Sequence, residues 1–202
     1  MKRVKILLGM ICLISTMTFA EASFQLGLPG TNIPADQSIK GVRLNLLYGK
    51  NTNMSGLDIN ILALGETNNF TGVQLNPFWI PGANKVNNSF TGVGIGVANI
   101  HLGQSTGVVL GFVNYTNNFN GLQWGLVNFN QRKSVINLGG VNFNQGESTV
   151  DIGFVNYAEK TTFQLGVVNF TNDLQGVQLG FINFAKNGIF PVFPIFNIDG
   201  RL

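Results

Sequence analysis

The chain has 202 residues, of which 45% are hydrophobic and 10% charged, with a formal net charge of +3. That length suits one domain, and basic residues this few and scattered exclude a nucleic-acid-binding surface. A single cysteine, Cys12, excludes a disulfide framework.

The first element in chain order is an export signal over residues 1–22. Lys2, Arg3 and Lys5 precede the apolar run "ILLGMICLISTMTF", and Ala20-Glu21-Ala22 places small residues around a cleavage point. This pattern predicts a secretory signal peptide rather than a membrane anchor. Cys12 sits inside the apolar run, outside any lipidation pattern. The expected mature chain, 23–202, is one β-repeat domain with nine basic residues, eight acidic residues and no cysteine. Within it no apolar run is long enough for a transmembrane helix.

The stretch "GLQWGLVNFN" (121–130) belongs to a series of ten units, starting at 41, 56, 72, 92, 107, 121, 135, 149, 162 and 176. The repeats thus cover 41–184, with a terminal segment at 185–202. "FQLGL" (24–28) is a fragment of an eleventh unit, and "IFPVFPIFNI" (189–198) is a different, closing element. Atypical ends on a repeat array point to stacked or laterally paired identical units. Number each unit from its first residue, so that Gly121 is index 1. Indices 2, 4 and 6 are apolar, as in Leu122, Trp124 and Leu126. Index 3 is mostly polar (Arg43, Asp58, Gln74, Gln123, Asn137, Asp151), and index 5 is Gly or Asn. Alternation with period two, rich in β-branched and aromatic residues, makes each unit a strand. Polar stretches such as "NQRKS" read as turns. The apolar face is expected to meet a core or lipid. The index-3 face is expected to tolerate charge, because Asp58 and Asp151 stand there.

Two all-β architectures follow. A nine-residue strand spans roughly 30 Å and a five-residue link reaches at most about 17 Å. Straight units must therefore alternate in direction, giving an antiparallel up-and-down meander or closed barrel of about 10–12 strands. A sharp bend at index 5 is the exception, and it leads to the alternative, a parallel β-solenoid. There the asparagines of index 8 (Asn128, Asn142, Asn156, Asn169, Asn183) would stack into a ladder and Arg43 would pair with Asp58. In the meander the same asparagines are strand-exit residues before turns. The recurring glycine marks either a close backbone approach or a corner. One-sided apolar strands also suit an outer-membrane barrel. Three outward residues, however, cover roughly 13 Å of an apolar band about 25 Å tall. Spanning the membrane and packing into a soluble core both stand at this level.

Little chemistry is encoded. His101, the only histidine, is expected to be solvated at a turn, and one histidine without cysteine makes no ordinary metal set. Asp58 and Asp151 are isolated variants of a Gln position. Arg132, Lys133, Lys160 and Lys186 read as solvated turn tips. Trp79 and Trp124 read as core or lipid-facing residues rather than a sugar platform. No catalytic, cofactor-binding or metal-binding residue is assigned, and no enzyme is expected.

At "GVRLNLLYGKNTNMSGLDINILA" (41–63) and "GVQLGFINFAKNGIFPVFPIFN" (176–197) the chain resembles a family of bacterial surface-repeat proteins first named from leptospires. Its units read roughly Gly-Leu-Gln-Ile-Gly-Leu-Val-Asn. The resemblance implies a secreted or outer-surface protein of a diderm bacterium, and it transfers no catalytic residue. Asn45, Asn60 and Asn76 depart from the family's central glycine. The combined expectation is an exported, non-enzymatic cell-envelope repeat protein, associated with outer-membrane lipid. The alternative is a secreted adhesin for a glycan, a matrix polymer or a host surface, using the polar index-3 row for multivalent contact.

Overall fold

The computed structural model describes residues 22–62, 64–77 and 82–201. Apart from Ala22, the expected export signal lies outside the described residues, and so does Trp79. The described residues are all β, with eight strands: β1 Ala22–Leu28, β2 Thr31–Ile33, β3 Ser38–Asn45, β4 Tyr48–Asn60, β5 Leu64–Leu75, β6 Ala83–Lys133, β7 Ile136–Ala185 and β8 Val192–Ile198. They form one sheet in the order β2-β1-β3-β4-β5-β6-β7-β8.

The pairings decide the architecture. β1–β3, β3–β4, β4–β5, β5–β6 and β6–β7 are all parallel. Gly41 pairs with Gly56, Gly56 with Gly72, and Gly72 with Gly92, so index 1 stacks on index 1. Gln123 pairs with Asn137 and Phe129 with Phe143, one unit apart. Each unit is therefore one coil of a β-solenoid. This corrects the antiparallel meander and barrel. Strand-and-link geometry excludes a return only for straight strands, and these strands are bent. Residues at indices 6 and 7 both face outward, as in Phe112 and Val113, Leu126 and Val127, or Phe154 and Val155. Two consecutive outward side chains break the alternation and turn the chain through a corner.

The ends are built differently from the middle. "FQLGL" is a further edge coil, with Gln25 on Arg43 and Leu26 on Leu44. β2 folds back on it antiparallel, Leu26 opposite Ile33. At the other end β8 runs antiparallel along the last coil, Val177 opposite Ile198 and Phe184 opposite Val192. Both caps occupy an edge that would otherwise offer unpaired backbone groups.

Candidate functional site

The interior of the coil carries the polar residues. Arg43, Asp58, Gln74, Gln123, Asn137, Asp151, Gln164 and Gln178, all at index 3, are buried. The expectation that this face is exposed and tolerates charge is corrected. Each of its carboxylates is held by specific partners. Asp58 receives Arg43 Nε at 2.8 Å and Arg43 Nη2 at 2.7 Å, with Asn45 and Gln74 donating to its oxygens at 3.0 and 3.1 Å. Arg43 also donates to Thr67 Oγ1 at 2.8 Å. Asp151 receives Ser148 Oγ at 2.5 Å and Asn137 Nδ2 at 2.7 Å. Burial pushes the Asp151 carboxyl above its usual range, against the pull of these donors.

Asparagine links the coils along the axis. Asn99 donates to Asn114 at 2.8 Å, and Asn114→Asn128, Asn128→Asn142, Asn142→Asn156, Asn156→Asn169 and Asn169→Asn183 repeat that bond at 2.8 Å. The second amide proton goes to the index-4 carbonyl of the next coil, as from Asn114 to Trp124 at 3.0 Å and Asn128 to Leu138 at 2.9 Å. Such amide ladders satisfy buried polar groups between stacked, in-register strands. Index-5 glycine is the counterpart. A Cβ on Gly125 would lie 2.8 Å from Asn114 Nδ2 and 2.7 Å from the Gly111 carbonyl oxygen.

His101 is buried, which corrects the expected solvated turn. Its ring lies 4.1 Å from Phe90 and 6.5 Å from Phe119, centroid to centroid, and neither ring nitrogen has a hydrogen-bond partner. Burial lowers its pKa to about 3. Ile39, Met54, Phe70, Val86, Phe90, Val109 and Phe119 form the apolar core around it. Glu66 sits at the coil edge between Lys50 Nζ at 3.5 Å and Lys85 Nζ at 3.6 Å. Burial pushes its carboxyl up, but Asn87's hydrogen bond and the two lysines hold it below the usual range. No group of His, Cys, Asp and Glu suited to a metal ion occurs among the described residues.

The apolar rows face outward. Trp124 is 60% exposed, Leu126 64%, Phe154 70% and Phe181 82%, while Gln123, the residue before Trp124, is 0%. Index 9 forms a half-buried outer stack, Tyr115, Phe129, Phe143, Tyr157, Phe170 and Phe184, with neighbouring rings 4.3–5.4 Å apart. Between indices 4 and 6 the wall is hollow. An open trough of about 840 Å³ runs along the axis. One wall is the index-4 row Ile95, Leu110, Trp124, Leu138, Ile152 and Leu165, and the other includes Phe112, Leu126, Phe154 and Val167. Its floor is the glycine row Gly111, Gly125, Gly139, Gly153 and Gly166. The trough spans six coils, roughly 24 Å at the usual strand spacing.

The alternation was readable in the chain, and so were the rows that line the trough. The missed signal was the break in parity at indices 6 and 7, which leaves the index-5 glycine inside beneath two outward rows. Arg132 and Lys133 are exposed as expected but belong to β6, and Lys160, in β7, lies 3.8 Å from Glu147; of the four expected turn tips only Lys186, also exposed, is in a turn. No protein-family model, no curated protein and no solved structure matches this chain.

Proposed function

We propose that this is an exported, non-enzymatic cell-envelope protein that associates with envelope lipid through the outer apolar side of its solenoid. The observation that carries the reading is the inverted distribution of polarity. Gln123, Asn137, Asp151 and Gln164 are inside the coil, and Trp124, Leu126, Phe154 and Phe181 are outside. Contiguous exposed apolar area on this scale marks an interaction surface. The outward charged residues of the later coils, such as Arg132, Lys133, Glu147, Glu159 and Lys160, occupy indices 11–13, half a coil away from the trough. The molecule thus has one greasy flank and one charged flank, as an interfacial protein requires. The amino-terminal pattern of 1–22 and the resemblance to surface-repeat proteins support the envelope as its setting. The adhesin reading depended on an exposed index-3 row, and that row is buried.

Cell fractionation with an antibody tests the location, with the expected outcome that the protein co-sediments with outer membranes. Flotation of the mature chain with phospholipid vesicles tests the contact. A mature chain that stays at the bottom of the gradient, or a protein recovered intact only from cytosol, refutes the reading.

A further inference from the structure

We infer that the trough is a binding site for a single long hydrocarbon chain of an amphiphile, laid parallel to the solenoid axis. This deepens the proposed function and rests on it for the source of the amphiphile. The shape is that of a channel for a thin rod. Two apolar walls stand either side of a glycine floor, and a flat bilayer surface would touch only the rims. The length, roughly 24 Å, exceeds half of a hydrocarbon core about 30 Å thick, so one leaflet's chain fits within it.

The lining chemistry selects the occupant. No charged side chain lines the trough. The floor's backbone groups are already engaged in pairing along the axis, as in Gly125 with Gly139. The glycine floor also lies over the Asn ladder, whose amide protons are taken by the next Asn and the next index-4 carbonyl. A peptide strand or glycan placed here would bury amides or hydroxyls with nothing to bond, and each such group would lose its hydration without replacement. A methylene chain brings no such groups. The exposed charges of these coils are half a coil away, and Asp151, next to the wall residue Ile152, is buried and bonded to Ser148, Asn137 and Asn144, so the head group remains in water and is not recognised by ion pairing. Charge complementarity therefore points to an occupant that is uncharged wherever it touches the protein. Chain length, and not head-group charge, sets affinity.

Trp124 is the built-in probe. It stands in the wall, and Trp79→Phe leaves it the only tryptophan, since the chain has two. The mature Trp79→Phe protein is titrated with doxyl-labelled stearate below its micelle concentration. The expected result is saturable quenching of Trp124 at one chain per protein, unchanged between low and high salt. Dodecyl amphiphiles with anionic and cationic heads should compete alike, and octanoate at least tenfold more weakly than stearate. Leu138→Glu and Ile152→Glu put charge on the outward wall and should each weaken binding at least tenfold with an unchanged circular-dichroism spectrum. If either variant misfolds, the chain-length series on the parent carries the test. Head-group-dependent affinity, or equal binding of octanoate and stearate, overturns the inference. Quenching blocked by dimerisation in sedimentation overturns it in favour of a second copy of this chain. Absent quenching with vesicle flotation intact overturns the inference and leaves the lipid-association reading standing. Loss of both removes both.

Discussion

The coils before Gly92 and those after it close the same cross-section with opposite residues. In the early coils asparagine occupies index 5, as Asn45, Asn60 and Asn76. The glycines Gly49 and Gly65 face them, where a Cβ would collide with Asn45 Oδ1 and Asn60 Oδ1 respectively. In the later coils glycine takes index 5 and asparagine index 8. The exchange happens in one coil, which holds both Asn76 and Asn84. Asn60 Nδ2 crosses to Asn84 Oδ1 at 2.8 Å, and Asn84 continues to Asn99 at 2.9 Å. A Cβ on Gly96 would sit 2.8 Å from Asn76 Cβ. On either side of the exchange an inward asparagine on one wall thus faces an inward glycine on the other, and either wall can supply either; the exchange coil carries asparagine on both. The consequence for function is one-sided. Only the later coils put glycine beneath the outer apolar rows, and only they form the trough. The interiors differ too. The early coils combine an Arg43–Asp58 pair with an apolar core that runs on to Val109 and Phe119, and the coils beyond those fill the lumen mainly with hydrogen-bonded Asn, Gln, Ser, Thr and Asp151.

Four experiments bear on this contrast, in order of expected effect. Asp58→Ala strands Arg43, whose guanidinium is wholly buried. It should cost about 3–5 kcal/mol in denaturant unfolding, whereas Arg43→Met with Asp58→Leu should cost much less. A small loss from the single variant would mean the early lumen admits water.

The second compares neighbours in one later coil. Gln123→Asp places an unpaired carboxylate beside the buried oxygens of Thr116 and Asn130, to which Gln123 Nε2 now donates. Trp124→Asp places one in solvent. The first should destabilise by several kcal/mol, order of magnitude, and the second by under about 1. Equal losses would contradict the inward and outward assignment.

The third tests the exchange itself. Gly125→Asn overpacks the lumen and should cost about 1–3 kcal/mol. Adding Asn128→Gly should recover part of that loss, because the pair then copies the early pattern. A double-mutant cycle with coupling near zero would show that glycine and asparagine are not complementary.

The fourth concerns acid. His101 titrates near 6.5 when unfolded and at about 3 when folded, so the unfolded chain takes up the proton first. Stability conferred by the neutral ring is whole above pH 6.5 and falls as pH drops toward 3. The loss approaches about 1.4 kcal/mol per pH unit in that window. His101→Phe should flatten the melting temperature's dependence on pH there. An unchanged profile would place the acid sensitivity elsewhere, and Asp151 does not supply it. Its raised carboxyl pKa acts with the opposite sign, favouring the folded state as pH falls.

The repeat, its β character and the shared face of indices 2, 4 and 6 were settled by the sequence, whereas the turns expected between units mostly lie inside the long strands β6 and β7 and index 7 leaves the index-3 face. Period-two alternation places Leu122, Trp124 and Leu126 together whatever the fold, and Arg43 stacks on Asp58 once the units are parallel. The tertiary structure alone decided which face is inside. Alternation carries parity but no sign, and the usual assignment of apolar residues to the interior supplied the wrong one here. A coil of about fourteen residues encloses a lumen too narrow for large apolar rows from every wall. Amides that bond from coil to coil along the axis fill that lumen without leaving orphaned groups. Strand direction was undecided for a related reason. It depended on whether each unit bends, and that bend is a joint property of a glycine on one wall and an asparagine on the other, which meet only after the coil has closed.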